Sequence, residues 1–239
     1  MPELLHSAES PVLSVIVPML NEALDLPALL VQLQDLCAVC SLPVEILFVD
    51  GGSSDGSVEL VAGSPFILVR CERGRACQMN AGAGVARAEK LLFLHADTVL
   101  PSLPGNGVFE LLIKTLDDAI WGRFDVCISG EAWMFKCIAW FMNGRSRLTG
   151  IATGDQAIFV RRADFLRVGG FSNQPLMEDV SLSSRLCAEQ PPVCLRDKVM
   201  TSGRRWQQRG IWPTIFLMWR LRFDYWRGVP AEILAKRYE

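Results

Sequence analysis

The sequence predicts an α/β domain in which helices flank a mostly parallel central sheet. Short apolar runs rich in β-branched residues alternate with longer stretches whose apolar residues recur at helical spacing. Half of the 239 residues are hydrophobic and 21% are charged, so the chain is able to bury a sizeable core. The mean hydropathy of +0.24 is high for a soluble chain. It favours a buried parallel sheet, an oligomer face or contact with a membrane surface.

The first hundred residues predict four strands, each followed by a helix or a turn-rich loop. The strands are expected at residues 13–17, 45–49, 66–70 and 91–94. Helices are expected in 21–36, from 58–62 onward, and in the Ala- and Gly-rich stretch 74–88. This alternation is typical of βαβ units, which build parallel sheets.

Beyond residue 100 the pattern is looser. Helices are expected at 103–115, 133–141 and 178–188, strands at 121–129 and 157–160, and a turn at 169–171. There is no internal repeat and no low-complexity linker in the sequence.

The net charge of −2 hides an asymmetry between the body of the chain and its end. Residues 1–194 carry 14 Lys and Arg against 22 Asp and Glu, whereas residues 195–239 carry 10 against 4. The acidic body argues against nucleic-acid binding, and the basic end suits phosphates or an anionic membrane. No apolar run reaches the ~18 residues of a spanning helix, and residues 1–10 do not resemble a secretory signal. We therefore expect a cytoplasmic protein, either free or peripheral to the inner face of the membrane.

The cysteines do not indicate a metal or redox centre. Of the eight cysteines, only Cys37 and Cys40 have metal-like spacing, and no second pair or histidine cluster completes a site. We expect reduced, buried thiols.

Asp97 is the strongest single candidate for a functional residue. It follows the apolar run 91–94 and His95, at the expected end of a buried strand. A carboxylate there needs a partner, and a divalent cation is a common one. Ligands of open α/β sheets also collect at the carboxyl ends of the strands. The alternative is that Asp97 caps the next turn.

Other polar residues follow expected strands in the same way. Either Asn21 caps a helix, or the loop that holds Asn21 and Glu22 binds a base or ribose. Asp50 ends the second strand, where its carboxylate suits a ribose or an imide N–H. Arg75, next to a glycine, suits a phosphate or base.

Glu178 and Asp179 precede an expected helix, where they act either as favourable charge at its N-terminus or as a general base. The first half of the chain contains neither a G-x-G-x-x-G fingerprint nor a P-loop. A Rossmann dehydrogenase and an NTPase are therefore disfavoured.

Taken together, these motifs resemble those of the inverting family 2 glycosyltransferases of the GT-A fold, over about residues 12–195. They occur in the family's order at residues 17–22, 49–57, 74–82, 95–97 (the Asp-x-Asp metal motif, present as His-Ala-Asp) and 169–179. A narrower resemblance, carried by residues 74–80, 92–98 and 154–157, is to a bacterial subgroup often assigned to arsenosugar biosynthesis.

The resemblance implies a metal-dependent inverting transfer of sugar from a nucleotide-sugar donor, such as a UDP-sugar, to an acceptor hydroxyl. The residues implied to bind the donor are Pro18, Asn21, Glu22, Asp50, Arg75 and His95, with Asp97 holding Mg²⁺ or Mn²⁺. Asp179, beside Glu178, would take the proton of the acceptor. Residues 154–156, Asp125, Arg145 and Arg147 are candidates for the acceptor site.

Two residues depart from the family's pattern. Gly51 stands where the loop has a second Asp, and His95 replaces the first acid of the metal motif. A neutral imidazole is still able to bond a ribose hydroxyl or ligate a softer metal such as Mn²⁺. Donor and metal preference therefore stay open, as does an alternative function: a non-catalytic GT-A-like module that acts as a membrane-associated partner of another enzyme.

The domain organisation is expected to have three parts: an N-terminal tail (1–11), a GT-A domain (12–200, with a nucleotide half 12–100 and an acceptor half 101–200) and a basic aromatic helical segment (201–239). In the last part, one helical face is expected to hold Trp212, Ile215, Phe216, Trp219, Phe223 and Trp226. That face would pack on the domain, on a second copy, or in a membrane interface. The basic residues before it would alternatively close over the donor diphosphate.

Overall fold

The fold is known from a computed structural model, which describes residues 10–103, 107–130 and 132–238. Within these residues the strands are β1 (Leu13–Met19), β2 (Val44–Asp50), β3 (Ile67–Arg70), β4 (Lys90–Phe93), β5 (Trp121–Ile128), β6 (Phe159–Arg161) and β7 (Val193–Thr201). They form one sheet in the order β3-β2-β1-β4-β6-β5-β7. Neighbouring strands are parallel except at β6, which runs antiparallel to both β4 and β5. The prediction of a mostly parallel sheet is confirmed.

The helices follow the strands closely in the first half of the chain. They are α1 (Leu26–Val39), α2 (Ser57–Ala62), α3 (Arg75–Val85), α4 (Gly107–Asp118), α5 (Trp133–Thr149), α6 (Arg162–Arg167), α7 (Glu178–Glu189), α8 (Arg204–Arg209), α9 (Ile211–Trp226) and α10 (Ala231–Tyr238), with a short 3₁₀ helix at Gly154–Gln156. Helix α5 runs well beyond the expected residue 141. Most of the expected N-terminal tail, and residues 104–106 of the helix expected from 103, lie outside the described residues.

Among the strands, β7 is the one that the sequence did not predict. Its centre carries Arg196, Asp197 and Lys198, a composition that hides the strand pattern. The strand lies at the edge of the sheet, paired with β5, and there outward-facing side chains stay in water.

Helices cover the sheet on both faces because successive side chains of each strand point to opposite sides. On one face Val15 and Val17 belong to a core that includes side chains of α1 and α4. On the other face Ile16 packs in a core with Met79 of α3 and Leu182 of α7. Polar residues are thereby left to the ends of the strands.

The C-terminal helices pack on the domain along one side only. Leu221 of α9 and Leu234 of α10 are buried together with Met177, which precedes α7. Ile215 of α9 packs in a separate cluster with Ile138 of α5. No helix within the described ranges is both long and apolar enough to cross a membrane.

The expectation of buried thiols is wrong: seven of the cysteines are partly exposed and Cys137 is exposed. Within the described part of the chain all eight are free. Burial raises the pKa of Cys37 to about 11, with a further contribution from Cys40, so this pair is held in the thiol form.

Helix α3 lies unusually close to the sheet at Gly82. A β-carbon placed on Gly82 would lie 2.5 Å from Ile16 Cγ2 and 3.0 Å from Val49 Cγ2. Both contacts are with β-branched side chains of the sheet core, which have little freedom to move. Gly84, two residues further along the same helix, has no neighbour within 4 Å of such a carbon.

We predict that Gly82→Ala lowers the free energy of unfolding by roughly 1–3 kcal/mol, because the added methyl overpacks the core. Gly84→Ala is the matched control. It should be neutral or stabilising by up to ~1 kcal/mol through helix propensity alone. Urea unfolding of both variants tests the packing, and equal effects at the two positions would contradict it.

Candidate functional site

A cavity of about 660 Å³ opens at the carboxyl edge of the sheet, where β1 and β4 end. The sequence analysis assigned nine residues to the donor, the metal and the general base. Seven of these nine line the cavity: Pro18, Glu22, Arg75, His95, Asp97, Glu178 and Asp179. Asn21 and Asp50 do not line it. Residues far apart in the sequence therefore meet at one charged site.

Asp97 lies in the turn after β4, which is closed by a hydrogen bond from the Thr98 N–H to the His95 carbonyl oxygen (3.1 Å). The carboxylate of Asp97 interacts electrostatically with that of Glu22, which also lines the cavity. Burial raises the pKa of Glu22, and the carboxylates of Asp97 and Asp25 raise it further. This repulsion favours a cation at the same place.

His95 is held between the sheet and the 3₁₀ helix. Its Nδ1 lies 3.5 Å from Asp155 Oδ1, and its Nε2 is buried without a hydrogen-bond partner in the described part of the chain. A β-carbon on Gly154 would lie 2.5 Å from Nε2, so only glycine leaves room for the ring. His95 therefore fixes the position of the Gly154 backbone.

Asp179 is oriented by two backbone N–H groups. Its Oδ2 accepts a hydrogen bond from Gly154 (2.8 Å) and its Oδ1 accepts one from Val180 (2.7 Å). Met177, which precedes the Glu178–Asp179 pair, has φ of +64°, a strained value for a non-glycine residue. Strain of this kind is concentrated at functional sites.

Arg75, the first residue of α3, places a positive charge beside the carboxylates that line the cavity. Its Nη1 lies 3.5 Å from Glu178 Oε1, and its side chain is 53% exposed because it opens onto the cavity. Burial alone would lower the pKa of Arg75. Nearby carboxylates outweigh burial and raise that pKa above its ordinary value; they belong to Glu178, Asp155, Asp179 and Asp97.

Glu178 is almost completely buried, at 4% exposure. Burial raises the pKa of its carboxyl group, and the charge of Asp179 raises it further, whereas Arg75 opposes both effects. The two adjacent acids thus differ in environment: Glu178 is buried beside an arginine, and Asp179 accepts backbone hydrogen bonds.

Asn21 and Asp50 shape the loop after β2. Asn21 is not a helix cap; its Oδ1 accepts a hydrogen bond from the Ser54 N–H (2.9 Å). The two carboxylate oxygens of Asp50 accept from the N–H groups of Gly52 and Ser53, both at 3.0 Å. The hydrogen bonds of both side chains therefore stay within this part of the chain.

Gln78 explains the glycine at position 51. A β-carbon on Gly51 would lie 3.0 to 3.2 Å from the Gln78 side-chain amide group. That amide is fixed because its Nε2 donates to the carbonyl oxygens of Met19 (2.7 Å) and Val49 (2.8 Å). Gln78 therefore occupies the space into which a side chain at position 51 would project.

Three of the acceptor-site candidates, Asp125, Arg147 and Gln156, have structural roles instead. Asp125 pairs with the fully buried Arg123 and with Arg147, whose Nη2 lies 2.7 Å from Asp125 Oδ2. None of the three lines the cavity. Gln156 is also buried, where its Oε1 accepts a hydrogen bond from the Thr153 N–H (3.2 Å).

The C-terminal segment contributes a wall that sequence reasoning largely missed. Its lining residues are Thr201, Ser202, Arg204, Trp206, Met218, Arg222 and Tyr238. Arg204 was anticipated as part of a basic stretch, and its Nη2 lies 2.8 Å from Asp25 Oδ2. The inward orientation of Arg222 had no local signal, because it depends on how α9 packs against the domain.

The residues of the site fit a divalent metal ion that is bound jointly by the protein and by the diphosphate group of a ligand. Within the described residues, no group of three or more His, Cys, Asp and Glu side chains is arranged to hold a metal by itself. Mg²⁺ needs no such group when it binds through one or two carboxylates together with substrate phosphates and water. Asp97, a hard oxygen ligand in an acidic wall, suits that arrangement.

Comparison with known sequences identifies relatives of this chain. The family model described as Glycosyl transferase family 2 matches residues 14–169. An undecaprenyl-phosphate 4-deoxy-4-formamido-L-arabinose transferase of Aeromonas hydrophila is 32% identical over 173 residues, which are 66% of this chain and 50% of the relative. The same-named protein of Serratia proteamaculans is 29% identical over 62% of this chain and 47% of its own length. The chain thus spans about half the length of the curated relatives it matches.

Solved structures share the fold at low sequence identity. A mannosyltransferase from Pyrobaculum calidifontis, in complex with GDP-Man and Mn²⁺, superposes with a TM-score of 0.59 at 22% identity, over 91% of this chain and 62% of its own. S. aureus TarS 1-349 in complex with UDP gives 0.61 at 16% identity, over 80% and 60%. The expected GT-A fold is confirmed. With a family match that covers more than half of its residues, the chain belongs to Glycosyl transferase family 2.

Proposed function

We propose that this chain is a metal-dependent inverting glycosyltransferase that moves a sugar from a nucleotide-sugar donor to an acceptor hydroxyl. The observation that carries the proposal is the convergence of Asp97 and Asp179 on one cavity at the carboxyl edge of the sheet. One carboxylate suits a cation, and the other is oriented as a base. Membership of family 2 supports this type of reaction.

The donor would lie with its nucleoside near Pro18 and Glu22 and its diphosphate near Asp97 and Arg75. The solved structures with UDP or GDP-Man support a nucleotide-sugar donor of this class. Asp50 and Asn21 would contribute by holding the adjoining loop, as their hydrogen bonds indicate. Pyrimidine or purine selectivity stays a prediction for ligand screening.

Asp97 would hold Mg²⁺ or Mn²⁺, whose charge, when bound, offsets the charge that develops on the departing diphosphate. Arg75 would add a fixed positive charge next to it. The acidic surroundings of Asp97, which include Glu22, favour binding of the cation.

Asp179 would accept the acceptor proton. Its hydrogen bonds to the N–H groups of Gly154 and Val180 hold the carboxylate in one orientation. The acceptor oxygen bonds to the anomeric carbon as the bond from that carbon to the diphosphate oxygen breaks, and the proton passes to Asp179. A single displacement inverts the anomeric centre. Glu178 would fix the position of Arg75 through their ion pair.

A non-catalytic module remains the competing function. The departures at positions 51 and 95 are the features that favour it. At position 51, the side chain of Gln78 occupies the space into which an aspartate would project. The oriented carboxylate of Asp179 argues against the non-catalytic module, because an inactive protein has no need of a base. The narrower assignment to arsenosugar biosynthesis stays a prediction.

We further propose that α9 binds an anionic membrane surface. Five aromatic side chains of α9 form an aromatic face that is 55% to 81% exposed: Trp212, Phe216, Trp219, Phe223 and Trp226. Arg220 and Arg227 follow Trp219 and Trp226 directly in the sequence. A symmetric dimer through this face would bring like charges together, whereas anionic headgroups attract them. The relatives' names contain undecaprenyl-phosphate, a lipid phosphate, which supports contact with a membrane. A cytoplasmic location stays a prediction.

We predict that Asp97→Ala abolishes Mn²⁺-dependent binding of UDP or GDP, because it removes the carboxylate ligand. Asp179→Asn should preserve that binding and lower transfer by at least about a hundredfold, since it removes the base. Calorimetric titration and a transfer assay with a panel of sugar nucleotides provide the two measurements. Asp35→Ala, on the exposed side of α1, is the control and should change neither.

Metal-dependent binding that survives Asp97→Ala would show that the cation lies elsewhere. Binding without transfer, in the folded wild-type protein and with every donor and acceptor tried, would favour the non-catalytic module.

We predict that Arg75→Met destabilises the protein at pH 8 by roughly 1–2 kcal/mol, a value that allows for its half-exposed side chain. The folded-state pKa of Glu178 lies above its ordinary value, and losing Arg75 raises it further. The destabilisation should therefore shrink as pH falls from 8 through the raised folded-state pKa of Glu178, and its pH-dependent part should already be absent at the ordinary glutamate pKa, because Glu178 is by then neutral in both folded proteins. Urea unfolding at several pH values measures it. In a Glu178→Gln background most of the pH-dependent part should disappear, and an unchanged pH-dependent loss there would contradict this account.

We predict that Trp219→Ser and Trp226→Ser each weaken binding to vesicles of mixed neutral and anionic phospholipid by roughly tenfold, through lost apolar burial. Val39→Ser, which changes an exposed apolar residue at the end of α1, should bind as wild type does. Sedimentation with vesicles gives the partition coefficients. The membrane proposal would be refuted if the wild-type protein were a dimer that does not bind vesicles and if Trp219→Ser made that dimer dissociate.

A further inference from the structure

The turn that leads into α7 has a conformation that its own sequence does not favour. Met177 directly precedes the Glu178–Asp179 pair, and its φ of +64° and ψ of +20° lie in the left-handed region. That region is uncommon for residues other than glycine and asparagine. The residue before a helix is also preferably Ser, Thr, Asp or Asn, and Met177 makes no side-chain cap. Contacts with other parts of the chain must therefore hold Met177 in this conformation.

Those contacts come from the C-terminal helices. Met177 is 4% exposed and is buried together with Leu221 of α9 and Leu234 of α10, a group that we call the C-terminal cluster. Val180, which follows the two acids, packs against the same cluster. The acid pair therefore lies between two residues whose side chains pack on α9 and α10.

A hydrogen bond also joins the turn before Met177 to α9. The side-chain Nε2 of Gln174 donates to the Leu176 carbonyl oxygen (2.9 Å) and to the Tyr225 hydroxyl oxygen (3.2 Å). The first contact closes the turn, and the second connects the turn to α9. Apolar packing and a polar contact thus act together on residues 174–177.

A change in this turn would act directly on the candidate base. Asp179 is in the first turn of α7, two residues after Met177. Its Oδ2 accepts a hydrogen bond from the Gly154 N–H (2.8 Å). If Met177 relaxed to a negative φ, the start of α7 would change direction and the carboxylate would move away from Gly154. Asp97 lies on a different element, in the turn after β4.

We propose that α9 and α10 position the candidate base. Leu221 and Leu234 hold Met177 at its positive φ, and the helix start that this conformation defines holds Asp179 against Gly154. The two leucines do not line the cavity, so they are positioning residues that act through Met177. The proposal rests on the proposed glycosyltransferase function. It gives a role in that function to helices that lie beyond residues 14–169, the part of the chain that the family model matches.

Exchange of the Gly154 amide hydrogen, measured by NMR on the intact chain, reports the orientation of Asp179 without any substrate. The amide of Leu94 is the internal reference, because it donates to the Ile16 carbonyl oxygen (3.0 Å) within the sheet. Leu221→Ala should speed exchange at Gly154 by about tenfold more than exchange at Leu94, because the start of α7 is released while the sheet stays folded.

Ile233→Ala is the matched control for the loss of a large apolar side chain. Ile233 precedes Leu234 on α10 but is 46% exposed, so this variant should change neither exchange rate. Equal acceleration at Gly154 and Leu94 in Leu221→Ala would overturn the proposal, because it would show a loss of overall stability alone. Unchanged exchange at Gly154 would also overturn it.

Substitutions of Met177 separate positioning from simple packing. Glycine adopts a positive φ without strain, so adding Leu221→Ala to Met177→Gly should speed Gly154 exchange by less than about threefold. Valine is branched at its β-carbon and disfavours this region, so Met177→Val should speed Gly154 exchange even with both leucines present. An undiminished effect of Leu221→Ala in the Met177→Gly background would overturn the proposal.

The role of Asp179 in transfer is tested separately. Leu221→Ala should bind UDP with Mn²⁺ within about twofold of wild type, because Asp97 lies on a different element. In the transfer assay it should lower kcat by about tenfold and change the KM of the donor by less than about twofold. Full transfer by Asp179→Asn would overturn the base, whereas the exchange rates at Gly154 would still decide whether α9 and α10 hold the turn.

Discussion

The site depends on one hydrogen bond, from the Gly154 N–H to Asp179 Oδ2 at 2.8 Å. It joins the 3₁₀ helix to the start of α7. The imidazole of His95, from the turn after β4, packs directly against the same glycine. Three segments separated by long stretches of sequence are thereby fixed relative to one another. If the glycine moved, the proposed base Asp179 would lose its orientation and the turn that holds Asp97 would lose its support.

Charge balance is the second constraint on the cavity. Burial raises the pKa of both Glu22 and Glu178, and neighbouring carboxylates raise each of them further. Arg75 compensates part of this charge, and a metal ion with its diphosphate would compensate more around Asp97.

The sequence predicted the first half of the fold, and it predicted that polar residues would gather at one edge of the sheet, because both are set locally there. Each strand of the βαβ units ends in polar residues, and parallel pairing of β1 with its neighbours necessarily gathers those ends. What could not be predicted depends on contacts between distant residues. The charged β7 is a strand only because β5 pairs with it. Gln78 fills the space beside Gly51, and Arg222 points inward because of how α9 packs.

The histidine at position 95 follows from these constraints. A second acid there would add negative charge beside Asp97 and against Asp155, whose Oδ1 lies 3.5 Å from His95 Nδ1. An imidazole adds no negative charge beside Asp155 and has an N–H group to direct toward it, so it avoids the repulsion that an acid would add. Its flat ring also fills the space against Gly154. In this chain position 95 therefore supports helix α7, which bears the proposed base, and Asp97 alone would be left to meet the proposed cation.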